Sequence, residues 1–350
     1  ATVLAVLAGL LLFGGIIGYA AKAMVAIVPQ YQDRLTSLMS SGASVLDRFG
    51  IDASRSQLMA LISPSRVISL SANLMATLGG ALSVNCHGRY MGLGPVILSV
   101  RAIKLVLADA AVVDASREQN SELFFAAIGG YGAVGVITEA ELDLADNHRV
   151  QRLNTKMGAA DYLRHFKDKI RNNKQAVFHN ADLYPPEFTR VRSVTWVETE
   201  RAPTEPWRLH ESDAAYPLHR YFTWAITETP LGKWRREYVI DPLIYRKKVV
   251  HWRNYEASYD VAELEPATRE HATYVLQEYF CPAERFEEFV PKMAEILQRH
   301  RVNMVNISVR HAHADPGTLL AWARGETFAF VLYYKQRTRD NAKNRVAVWT

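Results

Sequence analysis

Charge is almost missing from the first 80 residues. Only Lys22, Asp33, Arg34, Asp47, Arg48, Asp52, Arg55 and Arg66 carry it, and the stretch has no tryptophan and no histidine. All seven tryptophans and all eleven histidines lie beyond residue 80. A shift that sharp, near Leu78-Gly79-Gly80, marks a domain boundary or a junction between unlike pieces. Cysteine is scarce too: Cys86 and Cys281 are the only two. Two thiols so far apart build no disulfide framework, so a reducing compartment is acceptable. The formal net charge of +5 with 22% charged residues does not call for nucleic acid.

What the first segment does contain is a long uncharged run, Ala1 to Ala21, with Lys22 the first charge. It is long enough to cross a bilayer core as a helix, with a buried core helix as the alternative. The basic start and cleavage site of a secretory leader are missing, and so is an initiator Met, as in a fragment or a processed product. Apolar residues then recur at helical spacing at Leu35, Leu38, Met39, Leu58, Leu61 and Ile62, as in short amphipathic helices. The span, "VPQYQDRL", "FGID" and "ISPSRVISLSANLMATLGG" resemble the autoinducer-2 exporter family of membrane proteins over residues 1–80. That resemblance implies membrane association through residues 1–28.

A complete G-x-G-x-x-G stands at Gly130, Gly132 and Gly135. A dinucleotide-binding fingerprint follows a strand and opens a helix. Here the order is reversed. Upstream, Ser121 can cap a helix, Glu122 suits its first turn, Leu123 to Ile128 are apolar, and Gly129-Gly130 is a normal stop. Downstream, the alternation from Val136 to Leu144 has period two and predicts a half-buried strand. The nicotinamide reading therefore fails on context.

Taken together, "GGALSVNCHGRYMGLGP" and "SVRAIKLVLADAAVVDASREQNSELFFAAIGGYGAVGVITEAELDL" resemble the flavin-binding region of the vanillyl-alcohol oxidase superfamily. The sugar-oxidising branch, with aldonolactone oxidases and decaprenylphosphoryl-ribose oxidases, is the nearest in pattern. The resemblance implies an FAD site. Gly79, Gly80, Ser83, His87 and Gly88 would line the isoalloxazine and its phosphate side, and Gly132, Gly135, Val136 and Ile137 would place the returning strand against the cofactor. Glycines suit that role because no Cβ blocks a flat ligand, and backbone amides in such turns can meet phosphate or flavin oxygens. Two departures stand out. Nothing in residues 1–78 matches the pyrophosphate loop of the family, and its usual Asp-Gly hairpin turn reads Asp109-Ala110 here.

Beyond residue 150 the pattern predicts α+β structure. Strand chemistry appears in "FHNADLYPPEF", "RVRSVTWVETE", Thr273–Phe280, "RVNMVNISVRHAHAD" and "TFAFVLYYKQR". Between them Phe286, Phe289, Val290, Met293, Ile296 and Leu297 form one helical stripe, with Pro291 expected to kink the helix or mark its start. Alternation puts Gln277 and Tyr279 on one face of their strand and Glu278 on the other. By resemblance to the sugar-oxidising relatives, Gln277, Tyr279, Arg310 and Lys335 would hold substrate hydroxyls, against the plain alternative of solvated strand faces. His87 would hydrogen-bond the flavin or take a hydroxyl proton, or simply pack. His311, His313 and Asp315 lack the further ligand that a metal site needs. A basic, aromatic run at 232–253 could meet anionic lipid or phosphate, or be an exposed basic loop.

The resulting expectation is α+β. Residues 1–78 would be a membrane-like helical segment, 79–150 the second part of an FAD-binding domain, and 151–350 a substrate-binding cap incomplete at its C-terminus. Function would be FAD-dependent oxidation of a sugar-like or polyol hydroxyl, with no nucleic-acid partner and no metal. The chain would be membrane-associated by one span, its oxidoreductase part cytoplasmic. The alternatives are a membrane transport or anchoring fragment and a non-catalytic remnant of a flavin module.

Overall fold

The period-two segments do form strands, all in antiparallel sheets. A computed structural model of the chain describes residues 78–210, 217–258 and 269–338. The hydrophobic span, the amphipathic helices up to residue 77 and the C-terminal residues from 339 lie outside them. Among the described residues no helix is long and apolar enough to cross a membrane.

The first sheet has three strands, β1 (Val100–Val106), β2 (Val112–Ser116) and β3 (Val136–Leu142), in the order β2-β1-β3. Helix α1 (Ser121–Ala127) packs on it, and Leu82, Ile97, Ile103, Leu105, Phe124 and Ile128 close its core. The N-cap is Asn120 at φ 47, not Ser121. Asn120 spends its side chain on the Asp114 carbonyl at 2.7 Å, which ties the loop to β2 and leaves Ser121 inside the first turn. The β1–β2 hairpin closes without glycine: Ala110 takes φ 67 and Asp109 accepts from the Ala111 amide at 3.0 Å.

The second sheet has seven strands, β4 (Arg149–Gly158), β5 (Ala176–Leu183), β6 (Arg190–Glu198), β7 (Val250–Trp252), β8 (Ala272–Pro282), β9 (Asn303–Ala312) and β10 (Thr327–Arg337). Their spatial order is β7-β4-β6-β5-β9-β10-β8. Its two faces carry different chemistry. On one, Phe328, Phe330 and Leu332 meet α2 (Ala159–Lys169) and α7 (Phe286–Arg299) through Tyr162, Phe166, Phe286 and Val290. Helix α7 runs through Pro291 instead of starting there. One missing N–H costs less than the stripe gains by burying Phe286, Val290, Met293 and Leu297.

The other face is polar. It is covered at one end by α3 (Pro217–Glu228), α4 (Gly232–Arg235), a π turn at Arg236–Ile240 and α5 (Asp241–Arg246). Asn303 donates to the Thr227 carbonyl, Arg236 to the Val305 carbonyl, and Lys156 pairs with Glu237. A short α6 (Arg253–Ala257) follows β7. Between the two sheets, residues 89–91 act as a seam. Tyr90 bridges to Phe178, the Met91 amide donates to Val177 and the His179 amide donates to Arg89.

Candidate functional site

Glycine placement comes first. Residues 78–83 are helical, so Gly79-Gly80 lie in a helix and not in the turn expected of them. The reason is local: the Val84 amide donates to the Gly80 carbonyl at 3.2 Å, which completes a helical turn. That helix end is pinned to the glycine turn after α1. The Gly129 amide donates to Leu82 and the Tyr131 amide to Ser83, each at 2.9 Å. Gly79, Gly80, Ser83 and Gly132 are thereby gathered on neighbouring backbone segments.

A test of fit to a flat cofactor is what a Cβ would meet. At Gly79, Gly80 and Gly132 it meets nothing within 4 Å. At Gly130 and Gly135 it would strike the Ala126 carbonyl at 1.9 Å and the Val106 carbonyl at 2.6 Å. The last two glycines thus serve close backbone packing, and the first three border open space. Tyr131 and Val136 stand exposed beside that turn, at 71% and 48%. Ile137 instead turns into the core of the small sheet. The open glycines and exposed apolar side chains fit a large planar ligand such as a flavin.

The second feature is chemical. The side chain of His87 is only 5% exposed, between the rings of Phe280 and Trp322, with centroids at 5.7 and 5.1 Å. Its Nε2 lies 3.2 Å from the Glu278 carboxylate of β8. A carboxylate only accepts, so Nε2 donates to it, while Nδ1 lies 3.4 Å from the Gly88 carbonyl oxygen. The hydrogen bond from His87 holds the Glu278 carboxyl below the usual carboxylate range; burial opposes this, and the charge of Arg310 assists. Nearby, burial first and then Glu278 push the Cys86 thiol up, so it stays protonated at neutral pH.

Arg310 joins the pair through register. Phe280 opposes Ala329, which opposes Arg310, so Glu278, Phe280 and Arg310 project from one face. The Arg310 Nε is buried without a hydrogen-bond partner among the described residues. Burial lowers the pKa of its guanidinium, while Glu278 and Asp182 favour its charge and Arg89 opposes it. A desolvated, unspent donor of this kind seeks an oxygen ligand.

The other predicted substrate residues are not brought together. Gln277 and Tyr279 oppose Leu332 and Phe330, so they lie on the helix-covered face, away from His87. There Gln277 donates to the Tyr279 hydroxyl at 2.8 Å and accepts from Tyr334 at 3.2 Å. Lys335 shares the polar face but sits six residues along β10 from Ala329, roughly 20 Å away at strand rise. It is paired with Glu228 of α3 at 2.9 Å. Gly88 lies in the loop against the Tyr90 ring.

Three residues of the site were not singled out by sequence. Glu278 was assigned only to a face. Asn85, 1% exposed at φ 47, donates to Asp315 at 2.7 Å and accepts from the Ile97 amide at 3.1 Å. Trp322 donates to the Asn85 carbonyl at 2.9 Å. These contacts fix the loop that carries His87. His311 and His313 stack edge to face, but His311 is bonded to Glu326 at 2.8 Å. No group of three metal-ligating side chains occurs among the described residues. A cavity of about 280 Å³, lined by Tyr184, Arg190, Trp234 and Tyr238, contains none of the residues around His87.

Comparison with known proteins gives short matches, and no protein-family profile matches the chain. The chain is 43% identical over 72 residues to cytokinin dehydrogenase 9 of Oryza sativa subsp. japonica, covering 20% of the chain and 14% of that protein. It is 29% identical over 138 residues to the mitochondrial L-galactono-1,4-lactone dehydrogenase 1 of the same plant, covering 39% of the chain and 22% of that protein. The Arabidopsis thaliana L-galactono-1,4-lactone dehydrogenase is 30% identical over 118 residues, 34% of the chain and 19% of that protein. The chain therefore covers less than a quarter of each of these relatives. All three are dehydrogenases, and the exporter resemblance gains no support from them.

Proposed function

We propose that the chain is part of an FAD-dependent oxidoreductase acting on the CH–OH group of a sugar-like or polyol substrate. Residues 79–150 form the second part of the FAD-binding domain, and 151–350 the substrate-binding cap. The observation that carries this is the His87–Glu278 pair, set where the glycine-bordered loop meets the sheet face that presents Arg310. Similarity to lactone dehydrogenases supports a sugar-like substrate. Similarity to cytokinin dehydrogenases, proteins named for a different substrate, supports only the shared oxidoreductase class.

Gly79, Gly80, Ser83 and Gly132 would hold the flavin, which when bound supplies a two-electron acceptor for the hydride of the carbinol carbon. The His87–Glu278 pair takes the hydroxyl proton, with the carboxylate orienting the ring and balancing the charge that develops on it. Arg310 binds the substrate oxygen and the Phe280 and Trp322 rings limit water. Membrane association through residues 1–28, with the oxidoreductase part cytoplasmic, belongs to the same proposal and rests on the uncharged run alone. The test is dye reduction by the FAD-supplemented full chain, assayed with polyols and aldonolactones. Turnover that falls at least a hundredfold in His87→Leu supports the assignment. Equal turnover in that variant removes His87 from the mechanism.

A further inference from the structure

Helix α3 is amphipathic in the wrong sense for a helix lying on a sheet. Thr223 is buried, while Tyr221, Phe222 and Trp224 are 66%, 49% and 53% exposed. The following turns continue the pattern, with Leu231 71%, Trp234 51%, Leu243 66% and Ile244 51% exposed. Helices α3 to α5 are held to the polar sheet face from beneath, through the Thr227 carbonyl, Arg236 and the Ile244 carbonyl. Trp234 also forms one wall of the cavity with Tyr184 and Arg190, at the edge of this exposed face. A cluster of large apolar groups on the solvent side of three linked helices marks an interaction surface.

The exposed, unpaired charges of this stretch are basic, and Glu187 of the β5–β6 turn is an acidic neighbour beside Trp234 and Lys233. The acidic groups of this stretch are spent inward: Glu228 on Lys335, Glu237 on Lys156, and Asp241 as acceptor from the Tyr184 hydroxyl. Arg246, Lys247 and Lys248 are exposed and make no ion pair among the described residues. Aromatic side chains flanked by unpaired basic ones are the chemistry of an interfacial segment on an anionic membrane. A second copy of the chain fits less well, since it would set the same basic side chains against one another.

We propose that the outer face of α3–α5 docks on an anionic lipid bilayer, with Trp224, Trp234 and Leu243 entering the headgroup region and Arg246, Lys247 and Lys248 meeting lipid phosphates. The proposal does not depend on the flavin chemistry. The full chain is co-sedimented with phosphatidylcholine vesicles, with and without phosphatidylglycerol. The triple variant Arg246→Gln, Lys247→Gln, Lys248→Gln is measured beside it. Residues 1–28 are common to both proteins, so the difference isolates this face.

The expected result is preference for phosphatidylglycerol, weakened by salt and reduced on the order of a hundredfold in the triple variant, about fivefold per residue. Lipids brominated in the acyl chain should quench part of the tryptophan emission, and the double variant Trp224→Phe, Trp234→Phe should lose that part. Absence of binding, or binding and quenching unchanged in both variants, overturns the proposal. So does a salt-insensitive dimer that Leu243→Ser dissociates, which would assign the face to a second copy.

Discussion

His179 is neutral and fully buried on β5, the strand that also receives the 89–91 seam and β9. Its Nε2 is 2.9 Å from the Tyr162 hydroxyl and its Nδ1 is 3.0 Å from Thr195 Oγ1. Burial, then the neighbouring His311 and His165, depress its pKa from 6.5 to about 3. The unfolded chain binds a proton below 6.5 that the folded chain refuses until about 3. Stability from this group is therefore complete above pH 6.5 and is lost steadily as pH falls toward 3. At about 1.4 kcal/mol per pH unit, moving from pH 7 to pH 5 costs about 2 kcal/mol from His179 alone. For a unit of this size that is roughly 6 °C in Tm. The assay is urea unfolding at pH 7 and pH 5 of the parent and of His179→Gln, whose amide can still serve Tyr162 and Thr195. The variant should show a drop between the two pH values smaller than the parent's by about 2 kcal/mol. Parallel losses in both proteins would refute the buried-neutral assignment.

Other perturbations separate catalysis, cofactor fit and scaffold. Glu278→Gln keeps the shape but removes the charge beside His87, and turnover should fall about tenfold to a hundredfold, as expected of a charge-assisted hydrogen bond of about 1.5–3 kcal/mol. Wild-type rates would remove Glu278 from the mechanism. Gly80→Ala has open space for its methyl and a helical setting, so its Tm should hold or rise slightly, while FAD binding, read by fluorescence quenching, weakens at least tenfold. Unchanged affinity would place the flavin elsewhere. Ala110→Gly relieves a left-handed alanine in the β1–β2 turn and should stabilise by about 1 kcal/mol in urea titration. A destabilised variant would contradict the turn geometry.

The elements were legible where periodicity was strong. β3, β8, β9, β10 and α7 follow from period-two and helical stripes, and the reversed order around Gly130, Gly132 and Gly135 excluded the dinucleotide fold. Choosing a face of β8 was another matter. Gln277 and Tyr279 look like a polar site in sequence, yet they satisfy one another and Tyr334 beneath a helix. Glu278 lies between the exposed apolar Leu276 and Phe280, which made its face look like the core. The bonds that hold His87 in place were invisible for a different reason: Asn85 to Asp315 and Trp322 to Asn85 span 230 and 237 residues. Local pattern carries no information at that separation. The helix at 78–83 shows the converse, since a Gly-Gly pair reads as a turn unless the flanking backbone closes around it.

The central claim is that this chain binds a flavin beside His87 and Glu278 and reduces it with a sugar-like alcohol. The most direct test is the visible spectrum of the full chain with FAD after gel filtration, taken before and after anaerobic addition of an aldonolactone or polyol. The account predicts a protein-bound flavin spectrum that bleaches with substrate and stays oxidised in His87→Leu. A chain that emerges free of flavin, or a bound flavin that no such substrate bleaches, would contradict it.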